Sequence, residues 1–174
     1  MKKFLGLTLL AVAMLGISTV SAQKMARINF QEVVVAMPEF EQAQKNLEAF
    51  SRDLQDQMEQ IVVEFNNKRA DFEKNQATMA ASVKQMKQQE LQQLQQRYTE
   101  FQQIAQQDMQ KKEAELFEPV QKKAQEAINK IAKENGYIVV FNTGSLVYFD
   151  EAQLVDIAPL VKKELGIAEK PATK

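Results

Sequence analysis

The amino-acid sequence predicts an α+β fold that is mostly α: a long antiparallel helical hairpin standing on a small β-rich body. Two observations predict the hairpin. Between Glu39 and Asn135 the apolar residues recur at steps of three and four, first through Phe40, Ala43, Leu47, Phe50, Leu54, Met58, Ile61, Phe65 and Phe72. They recur again through Val83, Leu91, Leu94, Tyr98, Phe101, Ala105, Met109 and Leu116, so each run forms the seam of a coiled coil. The two runs are also mirror images about a point near Thr78. Phe72 falls opposite Val83, Phe65 opposite Leu91, Met58 opposite Tyr98 and Leu47 opposite Met109, and a slip of one or two residues would set charged or amide side chains into the seam. A third observation predicts the body: short apolar runs of β character flank the hairpin on both sides. At about 1.5 Å per residue the shorter limb extends roughly 55 Å, which makes it an arm rather than a globule.

The boundaries follow in chain order. Residues 1–22 read as a signal peptide, with Lys2 and Lys3 as the basic start, Phe4 to Ile17 as the apolar run and Val20-Ser21-Ala22 as the cleavage site before Gln23. A single-span anchor is the alternative, but the run is short for a bilayer that needs about 20 residues. No cysteine follows the cleavage site to carry acyl chains. The mature chain is therefore expected free in an extracytoplasmic compartment. Residues 23–37 and 120–166 make the body, residues 38–119 the arm with its tip near 76–82, and residues 167–174 a polar tail.

Ala26, Ile28 and Phe30 alternate with Arg27 and Asn29 as a short strand. Asn29 and Glu32 have the spacing of a capping box, which opens one or two helical turns up to Met37. Pro38 resets the chain and suits the first position of the next helix, with Glu39 complementing its N-terminus. The tip has neither Gly nor Pro. Ser82 with Gln85 resembles a second capping box, which would start the returning helix at Val83. From Gln85 to Gln110 nearly half the residues are Gln, and because Gln is a good helix former this stretch reads as a solvated helix face. Pro119 removes one backbone hydrogen bond from the return limb and is expected to kink it where arm meets body. Beyond it Val120, Ala124, Ile128 and Ile131 continue an apolar stripe that must be covered by the body.

Asn135-Gly136 ends the helix, Gly supplying a left-handed cap. Two strands are expected next, Tyr137 to Phe141 and Leu146 to Phe149, joined as a hairpin through Asn142-Thr143-Gly144-Ser145. Both are almost wholly apolar: Tyr137, Ile138, Val139, Val140 and Phe141, then Leu146, Val147, Tyr148 and Phe149. Such strands are covered on both faces, and one copy has too little else to cover them. The sheets are thus expected to pack across subunits. Asp156 then precedes Ile157-Ala158-Pro159, the start of a last helix that Gly166 stops.

Composition excludes several function classes. Cys, His and Trp are absent from the mature chain, so it has no thiol nucleophile, no imidazole base and no zinc site, and no phosphate-binding G-x-x-x-x-G-K loop occurs. No enzymatic activity and no cofactor are expected. Loss of Lys2 and Lys3, two positive charges, takes the formal charge from -1 to -3, which offers nucleic acid no electrostatic footprint. Around the tip Lys68, Arg69, Lys74, Lys84 and Lys87 outnumber Asp71, Glu73 and Glu90. This basic tip could meet anionic lipid or acidic partners, or be a solvated helix end.

In order and spacing, these features resemble the Skp (OmpH) family of periplasmic chaperones. The resemblance rests on the signal peptide, the first strand, Met37-Pro38-Glu39, the hairpin, Pro119, Ala127-Ile128, Asn135-Gly136-Tyr137 and Asp156-Ile157, and it covers essentially the whole mature chain. It implies a homotrimer whose β-rich body trimerises and whose three arms enclose a cavity. It further implies an ATP-independent holdase that keeps unfolded outer-membrane proteins soluble before insertion, with transient contact to an anionic membrane surface or lipopolysaccharide as a further expectation. This chain differs from strongly basic members in its pI of about 5.7. Met side chains suit adaptable contacts. Met58 and Met109 fall on the seam, which leaves Met79 and Met86 near the tip as the candidates for client contact. A structural coiled-coil adaptor or spacer of the cell envelope is the competing expectation.

Overall fold

The computed structural model describes residues 24–168. The proposed signal peptide and the end of the polar tail lie outside the described residues. The chain runs β1 (Lys24–Ile28), α1 (Phe30–Val35), α2 (Pro38–Asn75), α3 (Ala81–Asn135), β2 (Tyr137–Asn142), two single 3-10 turns, β3 (Val155–Asp156) and α4 (Ala158–Glu164). Helices dominate, and the three strands form one small sheet, as the α+β, mostly α, reading predicts.

Local signals set most helix ends. The Asn29 side chain accepts a hydrogen bond from the Glu32 N–H at 3.2 Å and opens α1, and Pro38 occupies the first turn of α2. Gly136 takes φ 71° beyond α3, a left-handed conformation that a residue with a Cβ adopts only at a cost. At the tip the structure differs from the sequence reading. Helix α3 starts at Ala81 with Ala80 before it and no side-chain cap, so Ser82 is already helical and does not form a capping box. Val83 is exposed, and the half-buried position beside it is Lys84.

Across the arm the seam is buried or half-buried at Phe40, Ala43, Leu47, Phe50, Leu54, Met58, Ile61, Phe65 and Phe72 on α2, and at Leu91, Leu94, Tyr98, Phe101, Ala105, Met109 and Leu116 on α3. Phe40 meets Phe117 and Lys68 meets Glu90, contacts set one or two residues from strict symmetry about Thr78. Both limbs take two successive four-residue steps at the same height, Phe50-Leu54-Met58 and Phe101-Ala105-Met109. Leu54, Met58, Ala105 and Met109 there line a common groove. A matched pair of such steps unwinds the local supercoil without breaking the seam.

Pro119 lies inside one unbroken α3. Past it Val120, Ala124, Ala127, Ile128 and Ile131 are buried, packed against Ala26, Ile28 and Val33 on one side of the body and Val34 and Met37 on the other. The stripe that had no partner in the first limb is thus covered by β1 and α1. Ile157 and Val161 join this core, and Ile167 packs on it as well, so the first residue of the expected polar tail belongs to the body. The Ile167 N–H donates to the Lys162 carbonyl at 2.9 Å, closing α4 around Gly166 at φ 68°.

The sheet departs most from expectation. Its strand order is β2-β1-β3, and β1 pairs in parallel with both neighbours. Tyr137 to Phe141 is a strand, but Leu146 to Phe149 is not. Tight strand hairpins need left-handed residues, and Gly144 is not among the residues with positive φ. Instead the Asn142 side chain accepts from the Gly144 and Phe30 N–H groups, both at 3.2 Å, which ties the turn to the start of α1. The chain then crosses from the β2 edge to the β3 edge, and residues 146–149 are part of that crossing.

Candidate functional site: the arm and the open sheet face

The arm presents two solvated helices joined by an apolar seam. Off that seam, Val62, Val63, Val83, Met86 and Ile104 are exposed, Val63 at 49% and Ile104 at 53%. Met86 is therefore open to solvent as the sequence reading requires of a contact residue, whereas Met79 is half-buried in the tip. Val62, Val63 and Ile104 escaped the sequence reading because each lies within two residues of a seam residue, and only their outward direction separates them from it. Val63 lines a shallow groove on the outer side of α2 with Asp56, Glu59, Gln60 and Asn67.

The basic residues of the tip divide into two groups. Lys68 and Lys87 occupy half-buried seam positions, where both meet the Glu90 carboxylate, at 3.2 and 3.7 Å. Lys68 also lies 4.0 Å from Glu64, whose other oxygen lies 3.6 Å from Arg97. The hydrogen bond from Lys68, reinforced by the charges of Lys68 and Lys87, holds the Glu90 carboxyl below the ordinary carboxylate value. Arg69 pairs with Glu73 at 2.8 Å within its own helix. Lys74 and Lys84 make no ion pair among the described residues; Lys74 is exposed and Lys84 half-buried.

In the body, strand alternation sends Ala26 and Ile28 into the core and Arg27 to the opposite face. That opposite face is open. Met25 and Val139 are exposed there, and along the crossing Leu146 and Tyr148 are exposed, Tyr148 at 83%, with Val147 wholly so. Of the residues expected to associate, Tyr137 and Val140 pack on the core from within the copy, Phe141 is half-buried and Ile138 is 56% exposed. Phe149 lies over the Arg27 guanidinium at 5.4 Å. The apolar run of β2 is thus covered on one face only.

Among the described residues no group of three or more His, Cys, Asp or Glu could hold a metal ion, and no helix is long and apolar enough to cross a membrane. The grooves on the arm are shallow and lined mostly by Gln, Glu and Met.

Known proteins share both sequence and architecture with this chain. The Chaperone protein Skp of Yersinia enterocolitica is 24% identical over 95% of the chain and 99% of that protein. The Chaperone protein Skp of Vibrio cholerae serotype O1 is 26% identical over 83% and 85%. A solved structure of a candidate OmpH-like outer membrane chaperone from Caulobacter crescentus CB15 superposes with a TM-score of 0.73, covering 87% of this chain and 89% of its own, at 13% identity, and so shares the fold. The family of OmpH-like outer membrane proteins matches residues 24–165, and the chain belongs to that family.

Proposed function

We propose that this protein is an ATP-independent holdase of the periplasm, exported by a cleaved signal peptide, that binds unfolded outer-membrane proteins and keeps them from aggregating before membrane insertion. The observation that carries the proposal is the arm itself: two long solvated helices with isolated apolar residues on their outer faces, in a chain of the OmpH-like family. An unfolded barrel precursor exposes apolar residues at every second position. A holder without fuel must shield many of them weakly, and several arms around one client do this by multivalency, each contact weak and the sum considerable. Such a task calls for no catalytic group and no cofactor.

The proposal includes a homotrimer, formed where the open sheet face and residues 146–149 leave apolar surface uncovered in one copy. Lys74 and Lys84 are the groups that would give transient contact with an anionic membrane surface or lipopolysaccharide.

The test is aggregation of a denatured outer-membrane barrel protein diluted from urea, followed by light scattering without nucleotide. The chain in excess should suppress it. A chain that leaves scattering unchanged would be a spacer and not a holdase.

A further inference from the structure

Arg27 is the unusual residue of the open sheet face. It stands on the central strand, with Phe141 as its partner in β2 and Asp156 as its partner in β3, and its side chain is only 21% exposed. A guanidinium carries five N–H donors. Among the described residues Arg27 makes no side-chain hydrogen bond, and its Nε is buried without a partner. Asp156 and Glu151 approach only to 3.7 Å, which balances its charge but is too long for a hydrogen bond. Buried donors in folded proteins are satisfied with few exceptions, so this arrangement is incomplete in a single copy.

We infer that Arg27 is a polar anchor of the subunit interface, the outer N–H groups of its guanidinium completed by acceptors on a second copy of this chain. The inference rests on the trimer proposed above and adds the residue that fixes how its copies dock. Three observations favour a second copy as the occupant. The apolar surface beside Arg27, from Met25 and Val139 to the exposed Val147 and Tyr148, needs cover of its own kind. Residues 146–150 form no helix or strand, so the segment offers carbonyls on the same surface as the unmet donors. The patch also carries a carboxylate to share, because Glu151 is 75% exposed beside Arg27 and can serve its own Arg27 and a neighbour's together. Apolar surface alone lets identical copies slide against one another. A planar fork that must meet acceptors in one geometry does not.

The experiment separates this inference from the trimer itself. Sedimentation of the chain from Gln23 at micromolar concentration should show a trimer, and a folded monomer would remove the reading on which the inference rests. Given a trimer, Arg27→Met keeps the volume and deletes the donors. If a neighbour satisfies Arg27, the variant strands that neighbour's acceptors, and association should weaken by at least about tenfold with helical circular dichroism unchanged. If Arg27 stays unsatisfied in the trimer, the same variant should associate as tightly or more tightly, and the inference is wrong. Should Arg27→Met fail to fold, Arg27→Lys keeps the charge and loses the planar fork: its trimer should dissociate at least about tenfold more readily, and association equal to the parent's would overturn the inference.

Discussion

The ring of Phe40 stands 5.2 Å from the ring of Phe117 and is tilted 54° to it, which clamps the two limbs together where the arm meets the body. Beside it Lys123 pairs with Glu39, and that hydrogen bond holds the Glu39 carboxyl below its ordinary value. Aromatic pairs in such tilted geometry contribute about 0.5–1.5 kcal/mol beyond the area they bury. In a double-mutant cycle of Phe40→Leu and Phe117→Leu by urea unfolding, a coupling of about 1 kcal/mol is expected. Strict additivity would show that the rings act independently.

The register of the arm can be read by cross-linking. Leu54 and Ala105 are both buried and line one groove, so Leu54→Cys with Ala105→Cys should form a disulfide readily under mild oxidation. Leu54→Cys with Tyr98→Cys, two turns nearer the tip on α3, should not. Comparable yields from the two pairs would mean that the limbs slide.

Acidification should loosen the outer arm. Because Lys68 and Lys87 lower the Glu90 pKa in the folded chain, the carboxylate contributes stability that is present above its ordinary value of 4.5 and is lost as pH falls through the lowered one. Amide protection in residues 68–90 should therefore drop in acid while the body keeps its own. Glu90→Gln should show the reduced protection at neutral pH and little further change on acidification. A variant with the full pH response would assign that response to other carboxylates.

The exposed crossing should govern assembly. Val147→Asp with Tyr148→Asp alters two side chains that touch no core in one copy, so helical content should be retained while the sedimenting species falls from trimer to monomer. A variant that remains trimeric would place the interface elsewhere.

Client holding should depend on arm length more than on the body. Deleting Phe65 to Leu91 and joining Glu64 to Gln92 through a short Gly-containing turn leaves the pairs below Ile61 and Leu94 and the whole sheet untouched. The shortened chain should fold and assemble, but multivalent affinity should fall steeply with the lost contacts. Light scattering of a large barrel precursor should then rise almost as it does without chaperone. Full protection by the shortened chain would take the holding surface away from the outer arm.

Local chemistry by itself determined the arm. Helical period, the Asn29 cap, Pro38 at a first turn and Gly136 at φ 71° each act within a few residues, so the sequence declares them, and the near-symmetry of the two apolar runs carries the hairpin with them. Tertiary structure decided the rest. Leu146 to Phe149 has the composition of a strand, yet strand pairing is non-local, and the Asn142 side chain, bonded to the Phe30 N–H, turns this stretch into a crossing between sheet edges. Lys68 and Lys87 look like solvated tip charges in sequence, but both fall on the seam, where both pair with Glu90. Arg27 reads as the polar half of an alternating strand. Only the parallel sheet, with Phe141 on one side of it and Asp156 on the other, shows that its outward face is half-buried and short of hydrogen-bond acceptors.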